Sequence, residues 1–240
     1  MSIVNVLVEK SRVILSTDTA NYHKGEVDPA GFSTKTLALP HIRAAVAFRG
    51  ASLVFLNALI VMNHTCADTH SVDDLVTQLP AIIGNAVEFR RAWGETTGDT
   101  DPYFDACEFT IAGWSVSRKR AVCIHARYSP DTGSKFFLLP EGFHMGPNLR
   151  DPDFAGAHHF DPKQVRTPKT FIEAAEKQRV LARETATACV GGELMTTTVT
   201  ERGVEQDIVY RWPDKVGHAD GVGSPVPSAD EVRAFFARVA

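Results

Sequence analysis

From Ile3 to Val8 the chain is apolar and rich in β-branched residues. Lys10-Ser11 interrupts the run, and Val13-Ile14-Leu15 resumes it before the polar exit Thr17-Asp18. That pattern predicts two short strands joined by a tight turn. Thr19 to Thr34 carries Gly25, Asp28-Pro29 and Gly31 and reads as a loop. Lys35 to Leu39 gives a short strand, Pro40-His41 a turn, and Ile42 to Phe48 another strand ending at Arg49-Gly50. The first fifty residues therefore predict four strands in two antiparallel pairs.

The period then changes. Between Ala51 and His64, the positions Leu53, Leu56, Leu59, Ile60 and Asn63 fit a helix better than alternation. Ser71-Val72-Asp73-Asp74 is a helix start, with Ser71 as N-cap and acids in the first turn, and this helix runs to about Trp93 with a kink at Pro80. Gly94 to Tyr103 reads as a polar loop. Strands return at Ala106 to Trp114, Ala121 to Tyr128 and Lys135 to Leu139, and Gly142 to Asn148 carries glycines and a proline where that sheet would end. Leu149 to Pro168 lacks a period and holds His158-His159, which is long for a connection in a compact domain. Lys169 to about Thr187 is a third helix, closed by Gly191-Gly192. A hairpin follows, Leu194 to Thr200 and Val204 to Trp212.

Strands, two helices, strands, one helix and strands again, with the strands in hairpins, predict an α+β fold: two stacked antiparallel sheets with helices outside each, a four-layer α/β/β/α sandwich. We expect this domain to span 1–212, followed over 213–240 by a Gly/Pro-rich tether and a short C-terminal helix capped at Ser228.

Composition narrows the class. A chain of 240 residues with 44% apolar and 22% charged positions is long enough for one large domain with a well-buried core, or two small ones. The net charge is −4, and the densest basic cluster, Arg118-Lys119-Arg120, falls in a turn, so neither nucleic acid nor a membrane surface is expected as partner. No run approaches a membrane span and no secretory signal opens the chain. The four cysteines, Cys66, Cys107, Cys123 and Cys189, show neither zinc nor disulfide spacing, which points to the cytoplasm with reduced thiols. Nothing in the sequence suggests a cofactor.

The opening hairpin carries the candidate chemistry. Loss of the initiator methionine would give Ser2 a free α-amine beside its own hydroxyl, and the hairpin sets Asp18 on the same edge. A hydroxyl, an amine and a carboxylate are the parts of a self-contained nucleophile and base. With this spacing the chain resembles the N-terminal nucleophile hydrolases, and more narrowly the proteasome β-subunit, the HslV-type peptidase and the Anbu group. Ser2 matches their N-terminal nucleophile, Asp18 the acid after the second strand, and Lys35 the lysine opening the third strand. Arg49-Gly50-Ala51 lies at their oxyanion-hole turn, with Arg49 and Gly50 as the backbone donors. The resemblance covers about residues 2 to 212. It implies cleavage of a peptide or small amide, and homo-oligomerisation into a ring or helical assembly through the flanking helices; whether an ATPase partner feeds it is left open. Three supporting positions differ. The family's Gly-Ser-Gly falls at Gly146-Pro147-Asn148, its second Asp near Thr187, and the Ser of its Ser-Gly-Gly near Val190. A non-catalytic subunit of the same fold, acting as scaffold or partner-binding protein, is the alternative.

Each of these residues also has a plainer role open to it. Asp18 can end a strand, Lys35 can be a solvated strand start, and Gly50 can be a hinge. His158-His159 with Asp153 and Asp161 reads as an exposed polar loop before it reads as a metal site, since adjacent histidines in extended chain point apart. His125 is a paired or surface histidine, His144 a candidate for a cleft edge, and Cys189 a buried structural thiol near the site.

Overall fold

The computed structural model describes residues 3–22, 29–65, 69–98, 107–146, 165–185 and 190–216. Strand β1 (Val4–Val8) turns into β2 (Arg12–Asp18), the hairpin that the apolar pattern predicts. A two-residue strand β3 (Ala20–Asn21) pairs with β4 (Gly31–Phe32), a small ladder within a stretch expected to be loop. Next come β5 (Thr36–Leu39), β6 (Ala44–Gly50), helix α1 (Ser52–Thr65) and helix α2 (Val72–Thr97). Strands β7 (Cys107–Ser115), β8 (Arg120–Ser129), β9 (Gly133–Leu138) and β10 (Gly142–Gly146) precede helix α3 (Pro168–Thr185), and β11 (Glu193–Thr200) and β12 (Gly203–Arg211) close the order.

Two five-stranded antiparallel sheets result, β10-β1-β2-β11-β12 and β5-β6-β7-β8-β9. The central strands β1, β2, β6 and β7 are buried on both faces, while the edge strands β9 and β12 are largely exposed. On the first sheet Val4, Val6, Val8, Val13, Leu15 and Val199 point to the second, whose inward residues are small: Ala45, Ala47, Ala112, Ala121 and Cys123. Branched side chains facing alanines let the sheets interdigitate at native density. The alternate residues Val46, Phe48, Phe109 and Ile111 turn outward onto Phe55, Met62, Leu75, Leu79 and Ile83 of α1 and α2. There Phe48 and Phe55 stack at 4.7 Å between ring centroids, with Phe109 tilted against both. On the far side Leu7, Ile14, Val165 and Phe171 join α3 to the first sheet. The molecule is a four-layer α/β/β/α sandwich, as the element order requires.

Ser71 caps α2 as expected: its hydroxyl accepts the Asp74 N–H, and the helix then carries Pro80 internally. Two expectations are corrected. The helix does not end at Trp93. Gly94 is a buried helical residue and the helix runs four residues further, closing at Gly98 with φ 77° in the left-handed region. Gly142–Gly146 is not the fringe of the second sheet but the edge strand of the first, with Val4 opposite Gly146 and Leu7 opposite Phe143. Its glycines read as a turn because nothing local reveals a partner at the other end of the chain. His158-His159, Pro147-Asn148, Cys66, Thr187, Cys189 and the tether from Gly217 on lie outside the described residues. Among the described residues, no helix is long and apolar enough to cross a membrane.

Candidate functional site

The ends of β1, β2 and β5 meet at one corner of the sandwich. β2 runs antiparallel to β1 with Val4 opposite Thr17, so Asp18 is carried to the start of β1. Its carboxylate is fully buried and gathers donors from three elements. The Ile3 N–H donates to Oδ1 at 3.0 Å, Lys35 Nζ donates to Oδ2 at 2.9 Å, and the Gly191 N–H reaches Oδ2 at 3.4 Å. Lys35 comes from the second sheet, immediately before β5, and also donates to the Ala20 carbonyl. Buried to all but 6% of its surface, it forms an ion pair inside protein rather than in water. Burying two charges is costly, and the pair persists because hydrogen bonds satisfy both partners. Beside it the hydroxyls of Thr17 and Thr36 meet at 3.1 Å, a second polar tie between the two sheets.

Asp18 and Lys35 are thus brought together as the sequence reading requires, next to the residue that follows Ser2. Ser2 itself lies outside the described residues. Arg49 and Gly50 end β6, opposite Glu108 and Cys107 of β7. Gly50 has φ 118°, a conformation that excludes most side chains, and leads directly towards α1. The Arg49 side chain is a separate matter. It turns between the sheets, donates to Glu108 Oε2 at 2.8 Å, and helps line a cavity of about 200 Å³ with Val4, Thr110, His125, His144 and Gly146. Gly146 is glycine for a local reason: a Cβ there would press on the Arg49 guanidinium at 2.9 Å and the Val4 carbonyl at 3.0 Å. Burial pulls the Arg49 pKa below its ordinary value, against the opposing pull of the Glu108 and Asp18 carboxylates. His125, whose Nδ1 meets the Thr110 hydroxyl at 3.3 Å, is likewise held below 6.5 by burial, with Arg49, Arg127 and His144 adding to the effect and Glu108 opposing it. His144, expected at a cleft edge, lines this cavity and bonds the Pro140 carbonyl.

A second cleft, of about 450 Å³, flanks the ion pair. Thr19 and Thr34, the neighbours of Asp18 and Lys35, form its inner wall, and Phe32, Met195 and Trp212 give it an apolar lining. Gly192, at φ 76°, completes the wall because a Cβ there would overlap Thr19 Oγ1 and the Phe32 ring. Sequence reasoning placed Gly191-Gly192 near the site but missed the Gly191 amide as a donor to Asp18, and missed β3–β4 as the cleft's other wall. The adjacent glycines Gly191-Gly192 were the available signal. Among the described residues, no three His, Cys, Asp or Glu side chains gather as a metal site would require.

No protein-family model and no curated protein matches the chain. Solved structures do. Anbu from Hyphomicrobium sp. strain MC1 aligns over 100% of this chain and 98% of its own, at 12% identity and a TM-score of 0.57. Its Gly-1 mutant aligns over 100% and 99%, at 11% identity and 0.59. Anbu from Yersinia bercovieri, described as an ancestral beta-subunit, covers 87% of each chain at 9% identity and 0.55. The chain therefore shares the fold of these Anbu structures.

Proposed function

We propose that this chain is a proteasome-like N-terminal nucleophile hydrolase that cleaves a peptide or small amide with Ser2 as nucleophile. The observation that carries the reading is the buried Lys35–Asp18 pair, whose carboxylate also holds the Ile3 amide one residue from Ser2. Once the mature chain starts at Ser2, its α-amine has an ordinary pKa near 8 and accepts the hydroxyl proton close to neutral pH. The Lys35 ammonium favours the neutral amine, and Asp18 holds that ammonium in place. Ser2 Oγ attacks the amide carbonyl, and the N–H groups of Arg49 and Gly50 receive the developing oxyanion, a contribution worth a few kcal/mol. The amine returns its proton to the leaving nitrogen, and water then hydrolyses the acyl-enzyme. The domain that does this spans 1–212, works in the cytoplasm, and assembles with copies of itself into a ring or helix.

The test is intact mass with and without a β-lactone or epoxyketone. A chain lacking Met1 that gains one adduct, lost in Ser2→Ala, supports the reading; a chain that retains Met1 and refuses every probe overturns it.

One observation favours the alternative, an inactive scaffold subunit. Val190, where the resemblance calls for a supporting serine, is packed into an apolar cluster with Ile3, Leu194 and Trp212. A chain that assembles but never takes an adduct is that scaffold.

A further inference from the structure

The Gly191-Gly192 turn grips both sides of the Asp18 segment. Its Gly191 N–H reaches the Asp18 carboxylate, and its Gly191 carbonyl accepts the N–H groups of Thr19 at 3.3 Å and Ala20 at 3.1 Å. Ala20 in turn offers its carbonyl to Lys35. The turn itself is held by Asp214, just beyond β12. Asp214 Oδ2 accepts the Gly192 N–H at 2.8 Å and sits so close to Gly191 that a Cβ there would overlap it. Arg179 of α3 grips Asp214 with both ends of its guanidinium, at 2.6 and 2.5 Å, and lies 5.1 Å over the Trp212 ring. The Trp212 N–H of the backbone closes the loop on the Gly192 carbonyl at 2.8 Å.

We infer that Asp214, clamped by Arg179, is a positioning residue that fixes the Gly191-Gly192 turn and through it the Asp18–Lys35 pair; its catalytic consequence rests on the hydrolase reading above. A bidentate, charge-assisted pair sets distance and plane together, which a single hydrogen bond cannot. The chain thus supplies from the end of β12 an anchoring carboxylate that its own Thr187 and Val190 do not provide. α3, β12 and the turn form one rigid support, and the site hangs from it.

The experiment is residue-resolved amide hydrogen exchange on the full chain with Asp214→Asn. Loss of a hydrogen bond to a charged group speeds exchange about tenfold or more at Gly192, and with it at Gly191, Thr19 and Ala20, while Val6 and Leu15 keep wild-type protection. Acceleration at Gly192 alone, or equally throughout β1 and β2, overturns the proposal. Should Asp214→Asn not fold, Arg179→Lys and Arg179→Met carry the test at the same four amides, with Lys expected between wild type and Met. If the protein takes a β-lactone, the acid limb of its labelling rate also moves to higher pH in these variants, because a displaced Lys35 no longer favours the neutral amine. If no variant, wild type included, is labelled, the hydrolase reading fails while the exchange result still decides the role of Asp214.

Discussion

Ile3 and Asp18 are joined backbone to side chain: the Ile3 N–H donates to Asp18 Oδ1 at 3.0 Å, inside protein. The entry to β1 at Ile3 is therefore held by the same carboxylate that holds Lys35. Asp18→Asn keeps the shape and loses the charge, leaving a buried ammonium without its counterion. Stability should fall by about 3 kcal/mol. Lys35→Met should cost a similar amount, and the double variant should cost clearly less than the sum, read from urea unfolding. Additive losses would show that the two residues do not act as a pair.

The Arg49 cavity predicts a pH dependence. His125 has its folded pKa pushed below 6.5 by burial, so the unfolded chain binds its proton first as pH falls. Its contribution is intact above pH 6.5 and is lost as pH drops through the lower folded value. His125→Gln should flatten that part of the stability curve, measured as urea midpoints between about pH 7.5 and 5. An unchanged slope would place the titration elsewhere.

Gly192 and Gly133 both have positive φ, but only Gly192 is enclosed. Gly192→Ala should lower stability by about 2 kcal/mol or more through strain and overlap with Thr19 and Phe32, and should slow adduct formation at Ser2. Gly133→Ala meets open space and should cost only about 1 kcal/mol of backbone strain. Thermal unfolding of the two variants side by side checks the difference.

Leu56 and Ile60 on α1, and Phe89 and Trp93 on α2, are apolar pairs at i, i+4 spacing, each about half exposed. If the chain assembles through its helices, Leu56→Lys with Ile60→Lys should convert the assembly to a monomer by light scattering without loss of fold. An assembly that survives both lysines uses another face.

The layer order was legible because hairpins and helices announce themselves through their periods. Val4, Val6 and Val8 alternate with Ile3, Asn5 and Leu7, and both sets are buried, which is why the strand reads as an apolar run broken only at Asn5. The Asp18–Lys35 pair was legible only through the family resemblance, since spacing alone left Lys35 readable as a solvated strand start. Asn5 facing Gln178 across β1 and α3, and Arg179 gripping Asp214, were not, since such partners share no local pattern and meet only in the folded chain. Gly94 misled for the opposite reason. Its helix-breaking tendency is real, yet the burial of α2 overrides it.

The first sheet also sets an order of events. β1 and β2 occupy its middle, and their outer neighbours are β10, which brings Gly146 to Val4, and β11, which brings Thr197 to Leu15. As the chain emerges during synthesis, the opening hairpin has its β1 flank covered only once Gly142–Gly146 is made, and its β2 flank later still, once Glu193–Thr200 is made. Gly191 arrives with that last section. The corner holding Asp18 and Lys35 is thus completed only once the Gly191 turn and β11 have been made, and a chain cut before Gly191 cannot complete it.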